Sequence, residues 1–433
     1  MPSEIVGVLG IIAVLTLMFL RMPVGAAMIF IGIIGFAILA NPKAALSNLG
    51  STPFNIARDY PLSVIPMFIL MGMILQNSGI GRDLFKSFNA WLGHLRGGLA
   101  MATIATCAAF AAVSGSVIAT TATISRVTVP EMIQQNYKRS FAVGCAASGS
   151  SLGILIPPSG ILVIYGILTE ESIGSLLIAG ILPGLLTAAL LMASAYIQVR
   201  INPEIAPIVE KSATITEKFS AVKNIWPIAF IFGTSMGGIY LGIFTPTEAG
   251  AIGAFFSLLF CLVTRRINFS GLTNSLSQTV RITGILLMIV IGGKMFGQFL
   301  AVSRIPIEMT NFVNVFDVSP TLLMIIIFMI YFISGFFMEE MAVLVIYTPL
   351  FYPIVIAAGF DGVWFGVVTI LMLLIGLLTP PVGLISFVAS SVTNTPLNET
   401  FKGVYPFWLA LVVAVFILIF FPDIVTYLPS LME

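Results

Sequence analysis

The stretch "LGILIPPSGILVIYG" (residues 152–166) places two consecutive prolines, Pro157 and Pro158, inside an otherwise continuous apolar run. One proline in a helix interior removes a hydrogen bond and clashes with the preceding turn, at a cost of about 3 kcal/mol. A second stretch, "IGLLTPPVGLISF" (residues 375–387), has the same pattern around Pro380 and Pro381. The two stretches therefore predict two interrupted helices in an apolar surrounding.

The composition indicates a polytopic membrane protein. Of the 433 residues, 58% are hydrophobic and 9% are charged, whereas soluble domains carry about 25% charged residues. The net charge of +1 argues against a nucleic-acid partner, and a single histidine, His94, excludes a multi-histidine metal site. The apolar N-terminus lacks a basic leading region, which favours a first transmembrane helix over a cleaved signal peptide.

The apolar segments predict ten crossings, because a span needs about 20 apolar residues. We place them at 4–20, 22–40, 61–77, 141–168, 172–199, 226–243, 246–264, 280–301, 362–392 and 404–428. Two further stretches, 98–129 and 320–353, are too long for one helix and are interrupted by "VSGSV" (113–117) and "ISGFFMEE" (333–340). We predict that both are re-entrant hairpins, since broken backbone inside a membrane must be buried in protein or line a wet cavity.

The basic residues give the orientation. If the hairpins count as no crossing, fourteen basic residues fall on one side: Arg21, Arg82, Lys86, Arg96, Lys138, Arg139, Arg200, Lys211, Lys218, Lys223, Arg265, Arg266, Arg281 and Lys402. The other side receives only Lys43, Arg58 and Arg304. Because cytoplasmic loops carry the basic excess, we predict that both termini lie outside. The basic and apolar stretch 79–97 is expected to form an amphipathic helix at the cytoplasmic surface.

The chain also repeats itself. An offset of 223 residues relates Pro157 to Pro380, Pro23 to Pro246 and Gly153 to Gly376. Five predicted crossings separate the corresponding points, and an odd number makes the two halves inverted. Inverted repeats with broken helices at matching positions are typical of secondary transporters, whose binding sites lie near the bilayer midplane.

This pattern divides the chain into five predicted regions. They are scaffold helices (1–60), a first repeat (61–199) with hairpin 98–129 and broken helix 141–168, a cytoplasmic linker (200–225), scaffold helices of the second repeat (226–301), and a C-terminal region (302–433). That last region contains hairpin 320–353, broken helix 362–392 and the C-terminal helix. The fold class is therefore all-α, with two hairpins and two broken helices.

Each break frees backbone carbonyls, and each hairpin tip is rich in small residues, so we predict that a tip meets the break of its own repeat. Oxygen ligands of this kind suit a hard cation such as sodium, which is the only metal that the sequence suggests. The first predicted sodium set is Ser114, Gly115, Ser116, Ile156, Pro157 and Ser159. The second predicted set is Gly335, Glu339, Thr379, Pro380 and Gly383.

Polar residues near these sites are candidates for contact with a substrate, because polar groups inside a membrane are functional by default. The candidates are Ser116, Thr120, Arg126 and Ser159. Arg126 can face a substrate carboxylate, but Glu131 is an equally good partner within the chain. Glu340 is a second carboxylate at the hairpin tip. We expect Glu248 to cap a helix and Lys294 to pair with a neighbouring carboxylate or lie at a domain interface.

Three stretches of the chain resemble the large membrane subunit of tripartite ATP-independent periplasmic transporters. They are "GIFTPTEAGAIGAF" (242–255), "GILIPPSGILVIYGILTEESIGSLLIAGILPGLL" (153–186) and "GFFMEEMAVLVIYTPLFYPI" (335–354). The family often has aspartate after "FM" in the last stretch, whereas this chain has Glu339.

The resemblance implies an elevator mechanism in the bacterial inner membrane and sodium-coupled import of organic acids such as C4-dicarboxylates or sialic acid. It also implies two partners on separate chains, a periplasmic substrate-binding protein and a small four-helix membrane subunit. It implies no enzymatic activity and no cofactor other than sodium as the coupling ion.

Three alternatives remain open at this point. One is a stand-alone sodium-coupled anion transporter that needs no binding protein. Another is a sodium-pump subunit linked to a decarboxylase, which predicts a biotin-dependent partner. An intramembrane hydrolase is the weakest alternative, because Ser114 and Ser116 have no evident general base.

Overall fold

The computed structural model of the chain describes residues 2–207, 214–315 and 319–432. All regular elements in these ranges are helical. The α-helices are α1 (Ser3–Phe19), α2 (Val24–Leu39), α3 (Pro42–Ala57), α4 (Val64–Asn77), α5 (Ile80–Leu92), α6 (Gly98–Ser114), α7 (Val117–Gln134), α8 (Arg139–Ser150), α9 (Gly160–Thr169), α10 (Ile173–Ala179), α11 (Ile181–Ile201), α12 (Ile215–Tyr240), α13 (Pro246–Val263), α14 (Phe269–Val302), α15 (Ile305–Val315), α16 (Pro320–Ser334), α17 (Glu340–Ala357), α18 (Gly362–Leu378), α19 (Leu384–Thr393), α20 (Leu397–Phe420) and α21 (Asp423–Ser430).

Several of these helices have the length and composition of membrane spans. Six helical segments in the described ranges are long and apolar enough to cross a bilayer: 60–77, 173–201, α13, α14, α17 and α20. Shorter apolar helices, among them α1, α2, α6, α16 and α18, accompany them. The described part of the chain is therefore all-helical, with several helices suited to cross a membrane.

One group of helices is held together by close backbone contacts. Helix α2 packs along α14, and a Cβ atom on Gly25 would lie 2.6 Å from the carbonyl oxygen of Met288. Helix α4 packs along α13, where a Cβ atom on Gly250 would lie 3.0 Å from the Cβ of Met67. Because glycine lets backbones approach this closely, α2, α4, α13 and α14 form one tightly packed group, which we call the α2–α14 group.

A second group contains both hairpins and both broken helices. Helix α8 packs against α20, where Gly144 and Gly403 leave the two backbones in direct contact. Helices α6 and α7 lie against α8, and α18 lies against α16 and α20. This group carries the two double-proline stretches, and we call it the hairpin group.

The structure confirms an interruption at each double proline. Helix α8 ends at Ser150, a 3₁₀ turn covers Ser151–Ile154, and α9 begins at Gly160. Helix α18 ends at Leu378 and α19 begins at Leu384. The peptide bonds Pro157–Pro158 and Pro380–Pro381 are both cis. Neither double proline therefore lies inside a continuous helix.

Both predicted hairpins are helix–turn–helix pairs with longer second arms than the sequence indicated. The first pairs α6 with α7 across Gly115 and Ser116 and continues to Gln134 rather than to residue 129. The second pairs α16 with α17 across residues 335–339 and continues to Ala357 rather than to residue 353. The tips coincide with the predicted small-residue breaks.

Several predicted boundaries were wrong. The crossing predicted at 226–243 belongs to α12, which begins at Ile215 because Thr214 and Glu217 form a capping box there; residues 208–213 of the predicted linker lie outside the described ranges. The C-terminal segment 404–428 is two helices, since α20 ends at Phe420 and Pro422 precedes α21. Helices α3 and α15 were not predicted at all.

The amphipathic segment 79–97 forms a helix that ends earlier than expected, at Leu92. Its apolar residues Leu84 and Phe85 are buried, and the hydroxyl of Ser87 donates to the carbonyl of Ala221 at 2.9 Å. The indole nitrogen of Trp91 donates to the carbonyl of Lys218 at 3.1 Å. Helix α5 is therefore held by the first turns of α12, in addition to any contact with a membrane surface.

Candidate functional site

The tip of the first hairpin meets the first helix break, as the sequence predicted. Gly115 has a φ of +59°, and a Cβ atom there would lie 2.6 Å from the carbonyl oxygen of Pro158. On the other side of the contact, a Cβ atom on Gly153 would lie 3.2 Å from the carbonyl oxygen of Ser116. Glycine at both positions therefore permits a contact between two stretches of backbone.

The serines beside this contact start the two helices that follow it. Ser116 accepts a hydrogen bond from the backbone N–H of Ala119 at 3.4 Å and caps α7. Ser159 caps α9 through the N–H of Leu162 at 3.5 Å, and its own hydroxyl donates to the carbonyl of Ile154 at 2.5 Å. Both hydroxyl groups are therefore already engaged in holding the local backbone.

The second hairpin meets the helix before the second break. A Cβ atom on Gly335 would lie 3.2 Å from the Cα of Gly376. Beyond that contact, the hydroxyl of Thr379 donates to Ile375 at 2.6 Å and accepts a hydrogen bond from the Trp408 indole at 2.9 Å. Thr379 and Pro380 line a separate cavity, while Gly383 starts α19 at a φ of +56°.

A cavity of about 130 Å³ joins the two hairpin tips to the first break. Its polar wall is formed by both tips and the break: Ser114, Gly115, Ser116, Pro158, Gly160, Glu339 and Glu340. Its apolar lining comes from α4 and α14 (Ile65, Phe68, Ile69, Met73, Ile282 and Leu286) and from the hairpin group itself (Ile118, Ile154, Val163 and Met341). Glu339 thus shares a cavity with the first predicted sodium set, whereas Thr379 and Pro380 do not line it.

The helix ends around this cavity give it an uneven electrostatic character. Helix α6 and the 3₁₀ turn end here with their carbonyl groups, whereas α7, α9 and α17 begin here with their N–H groups. Helix N-termini carry a partial positive charge and C-termini a partial negative charge. The cavity therefore lies beside helix ends of both electrostatic signs.

Three members of the first sodium set, and Thr120, lie behind the cavity wall. Ile156 packs against Gly184, Pro157 lies near Gly180, and Ser159 is fully buried. Thr120 is also fully buried, its hydroxyl lies beside Gly153, and it has no hydrogen-bond partner in the described part of the chain. Thr120 is thus placed where the tip and the break touch.

Arg126 is not brought together with the other predicted substrate residues. It lies ten residues beyond Ser116 on α7, which corresponds to about 15 Å along the helix. There it is exposed and lines a separate cavity of about 390 Å³ with Gln134 and Asn394. Within the described ranges it forms no ion pair, so the alternative partner Glu131 does not bind it either.

A larger cavity, of about 740 Å³, opens between the two groups of helices. Its walls include the corner before α4, the loop between α9 and α10, and the loop between α12 and α13. Lys294 of α14 lies in it, with its ammonium nitrogen 3.6 Å from the Glu170 carboxylate. This pair fulfils the expectation that Lys294 meets a neighbouring carboxylate, and Glu248 caps α13 through Thr245 as predicted.

Two features of the site gave only weak signals in the sequence. Gly72 of α4 faces the first tip, and a Cβ atom there would lie 2.8 Å from the carbonyl oxygen of Val113. The hydroxyl of Ser386 donates to the carbonyl of Leu378 at 3.1 Å across the second break, as Ser159 does to Ile154 across the first. The position of Ser386 just after "PPVG" was the available signal for this second contact.

Comparison with known proteins identifies the family to which the chain belongs. Residues 11–424 match the model of a family described as "Tripartite ATP-independent periplasmic transporter, DctM component". A C4-dicarboxylate TRAP transporter large permease protein of Pseudomonas aeruginosa is 36% identical over 91% of this chain and 90% of its own length. A sialic acid TRAP transporter large permease protein of Vibrio cholerae is 32% identical over 100% of this chain and 99% of its own length.

A solved structure shares the fold. The YdaH transporter of Alcanivorax borkumensis superposes with a TM-score of 0.63 at 14% sequence identity, over 88% of this chain and 90% of that one. At this level of identity the likeness concerns the architecture alone. It places the arrangement of helices described above among known membrane transporters.

Proposed function

Because the chain belongs to the DctM component family of tripartite ATP-independent periplasmic transporters, in which it is a large permease subunit, we propose that it imports an organic acid together with sodium. The observation that carries this proposal is the contact between the first hairpin tip and the first break, Gly115 against Pro158. That contact brings hydroxyl and carbonyl oxygens together at interrupted helices, which is how secondary transporters build ion sites.

The two halves of the chain form an inverted repeat in this proposal. Support comes from non-helical backbone at matching positions, since Asn136 and Gly359 both have positive φ values and lie 223 residues apart. Glu170 and Asn394 form a second such pair, 224 residues apart. These spacings agree with the offset of 223 between the double prolines.

Transport proceeds by an elevator movement, in which the hairpin group slides along the α2–α14 group. Glycines at the boundary support this movement because they present little side chain to the moving surface. Gly72 of α4 faces the first hairpin tip, and Gly293 of α14 faces Val345 of the second hairpin. The residues of α4 and α14 that line the cavity at the hairpin tips are apolar. The hairpin group can therefore slide along them without breaking many hydrogen bonds.

The substrate class is an organic acid of the C4-dicarboxylate or sialic acid kind, by analogy with the relatives. The cavity of about 740 Å³ between the two groups has room for such a molecule. The remaining partners are a periplasmic substrate-binding protein, which delivers the acid, and a small four-helix membrane subunit. Sodium ions are the coupling ions, and both chain termini face the periplasm.

Reconstituted uptake tests this function directly. Proteoliposomes that contain the permease and its small subunit are given the cognate binding protein and a radiolabelled C4-dicarboxylate or sialic acid, with sodium or choline outside. We expect uptake only with both the binding protein and sodium. Uptake without the binding protein would instead support a stand-alone transporter, and equal uptake in choline would contradict sodium coupling.

The orientation makes a separate prediction. Lys86 on α5 and Lys43 on α3 are both exposed, and the three native cysteines are buried. In intact spheroplasts, a membrane-impermeant maleimide should label Lys43→Cys and spare Lys86→Cys, which should react only after permeabilisation. The opposite labelling would reverse the proposed topology. Leu84 serves as a buried control on the same helix, because Leu84→Cys should react slowly from either side.

A further inference from the structure

Arg126 lies in the cavity of about 390 Å³ at which α7 meets the end of α19, and we call this space the Arg126 cavity. The side chain is exposed there, and no carboxylate is among the described residues that line the cavity. Arg126 takes part in neither of the two ion pairs within the described ranges. Its positive charge is therefore available to an anion from outside the chain.

Helix α7 presents a polar face to this cavity. Arg126, Pro130 and Gln134 line it at a spacing of four residues, which places them on one side of the helix. Ser125 lines the same cavity and is fully buried, and its hydroxyl has no hydrogen-bond partner in the described part of the chain. A buried hydroxyl without a partner is unfavourable, and an oxygen-rich ligand would supply the acceptor that it lacks.

The end of α19 supplies the facing wall. Thr393 is the last residue of this helix, and Asn394 follows it with a φ of +50°. Both residues line the cavity, and the amide group of asparagine carries two hydrogen-bond donors. Guanidinium, hydroxyl and amide donors from opposite halves of the chain thus surround one space.

The size and the donors of the cavity indicate the class of its ligand. Its volume of about 390 Å³ lies within the roughly 300–1,000 Å³ of small-molecule pockets. A guanidinium group binds carboxylates and phosphates through two parallel hydrogen bonds. A cavity that offers such a group, and further donors without a competing carboxylate, is suited to an oxyanion.

We propose that the Arg126 cavity binds a carboxylate or phosphate group, with Arg126 as the main ligand and Ser125 and Asn394 as donors beside it. The site is distinct from the contact between tip and break, because Arg126 lies about 15 Å along α7 from Ser116. In the proposed orientation this end of the hairpin group faces the cytoplasm. A soluble phosphate or organic acid, and the headgroup of an anionic lipid, both supply the required group there.

Equilibrium binding of radiolabelled inorganic phosphate tests the site in the complete transporter, reconstituted in nanodiscs of phosphatidylcholine. We expect saturable binding to the wild type and about tenfold weaker binding to Arg126→Gln, because a hydrogen bond to a charged group is lost. Asn394→Gly removes the amide and keeps the left-handed backbone, which glycine adopts readily, so binding should weaken about threefold. Arg200→Gln, the same exchange at an exposed arginine of α11, should bind phosphate as the wild type does.

A second arm identifies the source of the anion. The same binding is measured in nanodiscs that also contain phosphatidylglycerol. If the headgroup fills the cavity, phosphatidylglycerol suppresses phosphate binding to the wild type, and more of this lipid copurifies with the wild type than with Arg126→Gln. If the source is soluble, phosphate binding is unchanged by the lipid, and succinate competes with it. Either result supports an oxyanion site.

Other results would overturn the inference. They are the absence of saturable phosphate binding to the wild type in phosphatidylcholine, equal binding by the wild type and Arg126→Gln, and an equal loss in Arg200→Gln. If Arg126→Gln does not fold, Asn394→Gly decides, because unchanged phosphate binding rejects the site. The measurement does not involve transport, so uptake that ignores sodium would contradict the proposed function and leave this site standing.

Discussion

Uptake by Gly115→Ala should fall by about 30-fold to 4,000-fold, the largest loss that we expect from any single methyl group in this protein. The added Cβ would meet the Pro158 carbonyl oxygen at 2.6 Å, and residue 115 would keep a left-handed φ of +59°. Left-handed backbone costs a non-glycine residue about 1–2 kcal/mol, and overpacking adds about 1–3 kcal/mol. Since 1.4 kcal/mol is a factor of ten, the sum of about 2–5 kcal/mol gives the predicted range.

Two other glycines separate the causes of this loss. Gly79 has a φ of +73°, and a Cβ atom added there would have nothing within 4 Å. Gly79→Ala therefore has only the energetic cost of a left-handed backbone, without a steric clash. Gly50 lies on α3 with open space around it and an ordinary φ, so Gly50→Ala should leave uptake unchanged. Uptake is measured in proteoliposomes at matched protein density. If Gly115→Ala transports as well as Gly79→Ala, the contact between tip and break is not required.

The protein with Gly403→Val should be less stable than the wild type by about 2–3 kcal/mol, within the range for overpacked cores. A Cβ atom at position 403 would overlap the carbonyl group of Ser140, and it would lie 3.2 Å from the Cα of Gly144. Backbone atoms cannot rotate away as a side chain can, so α8 and α20 would have to separate. Thermal unfolding of the purified permease in detergent measures the loss as a lower midpoint temperature.

Gly284 provides a control for which the opposite change in the midpoint temperature is expected. Gly284 lies inside α14 with nothing within 4 Å of a built Cβ. Gly284→Ala should therefore raise the midpoint slightly, because alanine is favoured over glycine in a helix by about 1 kcal/mol. A midpoint for Gly403→Val that equals or exceeds that of the wild type would show that α8 and α20 do not need their close approach.

The sequence predicted those parts of the fold that depend on local chemistry. The double prolines interrupt their helices in the structure because proline cannot donate the hydrogen bond that a helix needs. Helices α3 and α15 were missed because neither is apolar enough to stand out as a span; α3 carries Pro53 in its interior and lies against α2 and α14. The break at Pro422 had a local signal that the apolar run around it concealed.

The same distinction applies to the candidate site. The contact between Gly115 and Pro158 was predictable, because each partner belongs to a recognisable motif in the same half of the chain. Glu340 could not be assigned to the same cavity, because the first tip and the first break that line it with Glu340 belong to the other half of the chain. Arg126 shows the reverse relation, because the ten residues that separate it from Ser116 in sequence become about 15 Å along helix α7.

The packing of the first half of the chain against the second also constrains how the protein is made. Helices α2, α4 and α8 find their closest neighbours in α14, α13 and α20, which are synthesised later. A nascent chain that has just completed α11 therefore exposes the bare glycine surfaces of α2 and α8 to lipid or to the insertion machinery. The early helices must therefore stay dispersed and unpaired in the bilayer until the later helices have been translated.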